Sequence, residues 1–192
     1  MILETIRTKI RALVEDISTC QTEVFKYEGS NIFPLCGENI SSVTSVLKNG
    51  VELASGETYD LDSTNKTVTI TATFADGDQV EIKYCSQKYS DSELDEFIRA
   101  SLVWLSIYSY CSDEDFELEE DDIYPTPSNK EQDLIAFISS ILIKPDYSRY
   151  SLPNLTVVYP RTMEKYIKIR EIINRFRRGL GVNDVIEFEE YV

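Results

Sequence analysis

Eight carboxylates crowd into ten residues at Asp113, Glu114, Asp115, Glu117, Glu119, Glu120, Asp121 and Asp122, and seven cations gather at Arg161, Lys165, Lys168, Arg170, Arg175, Arg177 and Arg178. Carboxylates this close can chelate a cation, share a proton or repel a polyanion. The run does not match the EF-hand loop, which needs a glycine at its sixth position and a glutamate at its twelfth. Its simplest form is a solvated loop extended by self-repulsion; its functional form repels nucleic acid or meets a basic partner. The cations sit on a predicted helix around Met163, Ile167, Ile169, Ile172, Ile173 and Phe176. Cations at a helix C-terminus also complement the helix dipole, so Arg175, Arg177 and Arg178 are partly explained without a ligand. The aromatic interleaving expected of a single-strand binder is weak, which favours pairing with a subunit or protein partner.

Catalytic chemistry has little to work with. The chain has no histidine, which removes the usual general base near neutral pH and the commonest transition-metal ligand. A hydrolase working through carboxylates, with or without a metal, would have no defined motif here. No enzyme, metal or cofactor is expected. Cys20, Cys36, Cys85 and Cys111 form no CxxC pair, so reduced and mostly buried thiols are expected. The first residues carry charges every few positions and lack a signal-peptide core, and no stretch is long and apolar enough to span a membrane. A cytosolic product without membrane contact is expected.

The net charge of −15 is unevenly spread. Residues 1–160 are strongly acidic, Arg161 to Arg178 is basic, and the tail after Gly179 carries four acids and no base. The elements that must position these charges follow from hydrophobic period. Ile2, Ile6, Ile10, Val14 and Ile17 recur at helical spacing. The period then falls to two: Thr22 to Tyr27, Asn31 to Leu35 and Ser42 to Lys48 read as strands. Asn49-Gly50 is the strongest hairpin signal, because both residues tolerate positive φ. Val68, Ile70, Ala72 and Phe74 alternate with threonines, and Val80, Ile82 and Tyr84 follow after Asp76-Gly77-Asp78. Ser90-Asp91-Ser92-Glu93 reads as a capping box opening a helix to about Tyr110, the expected centre of the helical core. Further helices are expected at 128–143 and 160–178, separated by an aromatic connection.

The expected fold is α+β, a helical bundle with an inserted small antiparallel β-sandwich or barrel module. The helical body covers 1–21 and 87–178, the inserted module 22–86, and a C-terminal docking tail 179–192. In the tail Val185, Ile186, Phe188 and Tyr191 give apolar character to a segment that could add a strand to another chain. It is expected to be ordered only in an assembly.

The succession of a helix, Val24-Phe25-Lys26-Tyr27, Ile32-Phe33-Pro34-Leu35, Val46-Leu47-Lys48-Asn49-Gly50-Val51-Glu52-Leu53, Tyr59-Asp60-Leu61-Asp62, Val68-Thr69-Ile70, Gly77-Asp78-Gln79-Val80-Glu81-Ile82-Lys83-Tyr84 and the helix opened by Tyr89-Ser90-Asp91-Ser92-Glu93-Leu94 resembles the head–tail connector (adaptor or neck) proteins of tailed bacteriophages. The resemblance covers roughly residues 1–110. It implies a virion structural protein assembled in the host cytoplasm, forming a homo-oligomeric ring, commonly twelvefold, that joins the portal protein to a stopper or tail protein. The ring would line the channel through which DNA passes during ejection without sequence-specific binding. Arg161, Lys165, Lys168, Arg175, Arg177 and Arg178, with the tail residues, would then dock on the portal or a neighbouring subunit, and the acidic loop would face the channel or a subunit. Carboxylates on a channel wall repel phosphates and let DNA slide. The alternative is a phage fibre, baseplate or decoration protein whose β module binds capsid or glycan. That alternative requires an aromatic surface cluster, for which Tyr59, Tyr84 and Tyr89 are the candidates.

Overall fold

Leu3, Ile6, Ile10, Leu13 and Val14 form the buried stripe of α1 (Ile2–Val14). The helix stops short of Ile17: Glu15 takes φ of 57°, and the Asp16 N–H donates to the Arg11 carbonyl at 2.9 Å, a left-handed cap that turns the chain away. Ile17 is consequently exposed. The computed structural model describes residues 2–54, 56–110, 115–119, 122–179 and 184–188. The chain divides into two units, one of Met1–Asp16 with Asp91–Val192 and one of Ile17–Ser90.

The unit Ile17–Ser90 contains β1 (Thr19–Lys26), β2 (Ile32–Pro34), β3 (Ile40–Lys48), β4 (Val51–Glu52), β5 (Tyr59–Asp62), β6 (Thr67–Ile70) and β7 (Gln79–Ser86). They form two antiparallel sheets, ordered β1-β7-β3-β4 and β2-β6-β5. Inward-pointing Val46, Val80, Ile82 and Tyr84 of the first sheet and Phe33, Val68 and Ile70 of the second make one core. The Asn49-Gly50 turn has φ of 50° and 77° between the paired Lys48 and Val51, as a type I′ hairpin requires. Asn49 also clasps the next turn, donating to Asp78 Oδ1 and accepting from the Gln79 N–H, both at 2.8 Å.

The other unit holds α1, α2 (Asp91–Ile107), α3 (Asn129–Ile143) and α4 (Lys165–Arg177), with β8 (Glu117–Glu119), β9 (Asp122–Tyr124), β10 (Arg149–Leu152), β11 (Leu155–Val158) and β12 (Asp184–Glu187). Its centre is α3, not α2 as the sequence suggests. Every residue from Gln132 to Ile141 is buried, and α1, α2 and α4 all pack on this helix. Its start is a capping box the sequence reading missed: the Ser128 N–H donates to Glu131 Oε2 while the Glu131 N–H donates to Ser128 Oγ. Its buried polar groups are matched. Ser140 Oγ donates to the Ala136 carbonyl at 2.7 Å, and Asp133 takes Lys9 of α1 at 2.7 Å and the Asn154 amide at 3.1 Å. Arg7 adds a bidentate pair to Asp95 of α2, at 2.7 and 2.8 Å.

The expectation of a helical bundle bearing a β module is overturned. The protein is mixed α/β, with four helices and twelve strands in four small sheets among the described residues. Two features account for the difference. The supposed aromatic connection is a hairpin: Tyr150, Leu152, Leu155 and Val157 are buried at alternate positions of β10 and β11, around the two-residue turn Pro153-Asn154. The chain then crosses through α4 and returns as β12, parallel to β11. Parallel neighbours need such a crossover connection, so α4 is half of a β-α-β element and not the last helix of a bundle.

Candidate interaction site

The seven cations do not make one continuous basic face. Lys168 has no exposed surface: its Nζ donates to the carbonyls of Pro145 at 2.6 Å and Tyr147 at 3.0 Å and lies over the Tyr159 ring. It is a clamp on the segment before β10, so the expectation that it docks a partner is corrected. Burial lowers its pKa below the usual lysine value. Arg170 binds Glu171, Arg177 donates to the Tyr108 carbonyl, and Lys165 lies over the Tyr166 ring. Arg161, Arg175 and Arg178 are exposed and pair with no carboxylate among the described residues.

The tail also departs from expectation. Instead of waiting for another chain, β12 sits on this chain's own sheet: Val157 pairs with Ile186 and Val158 with Glu187. Ile186 is buried, Phe188 stacks on Tyr159 with centroids 4.9 Å apart, and Val185 faces out at 64% exposure. Tyr191 lies outside the described residues. A groove of about 540 Å³ runs between α4 and β12, bordered by Asn174, Arg175, Arg178 and Val185.

Within the acidic run, Asp115, Glu117, Glu119 and Asp122 are described and exposed, while Asp113, Glu114, Glu120 and Asp121 lie outside the described residues. Its described residues are paired and anchored. Glu117 pairs with Tyr124 and Glu119 with Asp122 across β8 and β9, and Phe116 and Ile123 are buried beneath. Alternation explains it: apolar residues between the acids go inward and the acids go out.

One surface was not anticipated. Val103 and Ile107, one turn apart on the outer side of α2, are 58% and 63% exposed. Beside them Trp104 stacks on Tyr108 and contacts Tyr166 of α4, at centroid distances of 6.0 and 5.7 Å. The signal was present in the sequence, since these two aliphatics lie off the face defined by Leu94, Ile98, Leu102 and Leu105. A groove of about 410 Å³ adjoins Val103, with Leu102, Phe116 and Leu118 in its lining and Asp115 and Glu117 at its rim.

The cysteines depart from the reduced-thiol expectation. Cys20 and Cys85 are directly opposite in the β1–β7 register and form a disulfide, with Cα atoms 4.0 Å apart. Cys36 is free and exposed, and Cys111 lies outside the described residues. Tyr84 is wholly buried, its hydroxyl held by Gln21 and Glu23, whereas Tyr59 is 40% exposed. Tyr59, Tyr84 and Tyr89 therefore do not form a shared exposed platform. Among the described residues no group of three or more metal-ligating side chains comes together, and no helix is long and apolar enough to cross a membrane.

What this arrangement can do chemically is bind: one unit presents exposed cations and carboxylates without ion-pair partners among the described residues, and exposed aliphatic side chains. No protein-family model matches the chain, and no curated protein matches it.

Proposed function

We propose that this chain is a ring-forming virion structural protein, a head–tail connector that joins a portal to a stopper or tail protein around the DNA channel. The observation that carries the reading is the coexistence, on one unit, of exposed cations at Arg161, Arg175 and Arg178, which pair with no carboxylate among the described residues, with exposed carboxylates at Glu117, Glu119 and Asp122. Copies meeting head to tail bring the two sets of charges together, and a contact of that kind closes into a ring where its rotation allows. The sequence order adds support: a compact β unit is spliced between α1 and α2 of the other unit, as in the resemblance drawn above. The reading does not depend on a helical bundle. The strong negative charge suits a channel through which a polyanion must slide.

The test is incorporation. Purified protein mixed with portal-bearing heads is expected to co-sediment with them and to be required for tail joining. Heads that accept tails equally well without it contradict the reading.

A further inference from the structure

The unit of Met1–Asp16 and Asp91–Val192 has two surfaces that complement each other in both charge and apolar character. On one, Val103 and Ile107 stand exposed beside the groove rimmed by Asp115 and Glu117. Arg99, the cation of that lining, is turned to the Leu118 carbonyl at 3.5 Å and to Glu96 at 4.0 Å. Asp115 accepts from Ser106, and Glu117 has no cationic partner among the described residues. On the other, exposed Val185 lies beside Arg175 and Arg178 along the groove between α4 and β12. Glu171 in that lining is bound by Arg170, and among the described residues Glu187 is the other acid of the lining and neither Arg175 nor Arg178 makes an ion pair.

We propose that these surfaces are the two halves of a single contact between copies of this chain: Arg175, Arg178 and Val185 of one copy dock on Asp115, Glu117, Val103 and Ile107 of the next. This deepens the assembly reading and rests on it. The charges select the occupant. Either surface placed against its own duplicate would set like charges face to face, which is unfavourable at contact distance, so a two-fold contact through one patch is disfavoured. The acidic surface instead fits a partner carrying cations beside an aliphatic side chain, and the chain itself supplies one. Because the two patches differ, the contact is heterologous and propagates to a third copy until a ring closes. The aliphatic side chains supply the water-excluding centre and the charges its polar rim, the usual division within an interface.

The experiment is sedimentation of the full chain at low salt. Two variants each disable one surface: Arg175→Ala with Arg178→Ala, and Val103→Ser with Ile107→Ser and Glu117→Ala. Wild type is expected to assemble beyond the dimer, and each variant alone to associate ~10-fold more weakly or less. Mixed in equal amounts, the variants should form a 1:1 dimer and stop there, because only one intact surface of each kind remains. Charge-reversed Arg178→Glu and Glu117→Lys, each weakened alone, should assemble beyond the dimer when mixed, because the untouched pair and the exchanged pair are both complementary while the apolar side chains stay in place, and melting curves confirm that the variants are folded. Folded variants that assemble like wild type overturn this contact while leaving ring formation in place. Wild type that stays monomeric at every concentration overturns both.

Discussion

Lys168 Nζ stands 2.6 Å from the carbonyl oxygen of Pro145, on a side chain with no exposed surface. A buried ammonium is tolerated there because the Tyr147 carbonyl, at 3.0 Å, and the face of Tyr159 share its charge. The pair fastens the segment after α3 to α4.

Lys168→Met keeps the stem and removes the donor, leaving two carbonyls short of a partner. Because Pro145 and Tyr147 are only half-buried, a loss of ~1–3 kcal/mol for the two bonds together is expected in denaturant unfolding. The pH dependence has a definite sign. Burial holds the folded pKa below the usual 10.5, so between those two values the unfolded chain binds the proton that the folded chain has shed. Stability of wild type relative to Lys168→Met should therefore rise as pH is raised toward 10.5. A difference that shrinks over that interval contradicts the lowered pKa, since it means that the folded chain holds the proton more tightly than the unfolded chain.

Gly37 lies against Tyr84. A Cβ at this position would sit 2.5 Å from Tyr84 Cε2 and 3.2 Å from its hydroxyl oxygen. The ring cannot step aside, since it is fully buried and its hydroxyl is bound by Glu23 and Gln21. Gly37→Ala is expected to cost ~1–3 kcal/mol through overpacking, confined to the unit Ile17–Ser90. An unchanged melting transition for that unit would mean that the loop has room the packing denies.

Register, not sequence spacing, brings Cys20 opposite Cys85. Peptide mapping after alkylation without reductant should recover these two cysteines linked and Cys36 alkylated. The bond closes a loop over a sequence separation of 65, for which chain entropy alone predicts a stabilisation of about 4 kcal/mol. Alkylation of both Cys20 and Cys85 in the folded protein would contradict the pairing.

Deleting 182–192 removes β12, and with it the cover over β11 and Tyr159. Because Ile186 is buried and Phe188 stacks on that tyrosine, the truncated chain is expected to melt at a lower temperature even as an isolated protein. A docking tail without an intrachain role would leave the melting temperature unchanged, so calorimetry separates the two.

Local signals carried much of the fold. The Asn49-Gly50 turn and the alternation through Val80, Ile82 and Tyr84 depend on neighbours a few residues away and are found where the sequence places them, while the α1 stripe holds as far as Val14 and not to Ile17. What could not be read is tertiary. Lys168 has the spacing of a solvated helix cation, and only the approach of the 145–147 carbonyls makes it a core residue. Gln132, Asp133, Ser139 and Ser140 disguise α3 as half-polar, although partners from α1, α2, the β10–β11 turn, the Pro127 carbonyl before the helix and the helix's own backbone allow all four inside. Tyr150, Leu152, Leu155 and Val157 have a period of two on each side of Pro153-Asn154, but two four-residue strands are too short for that period to stand out among the surrounding aromatics. Opposite charges within one unit are legible as composition. Their exposure, and the aliphatic side chains beside them, needed coordinates.

Electron micrographs of the purified protein at low salt test whether copies of this chain close into a ring. Closed particles of uniform diameter with a central opening are predicted, dissociating as salt is raised because the contact is largely between charges. Small, uniform particles without an opening at every concentration and salt would contradict it.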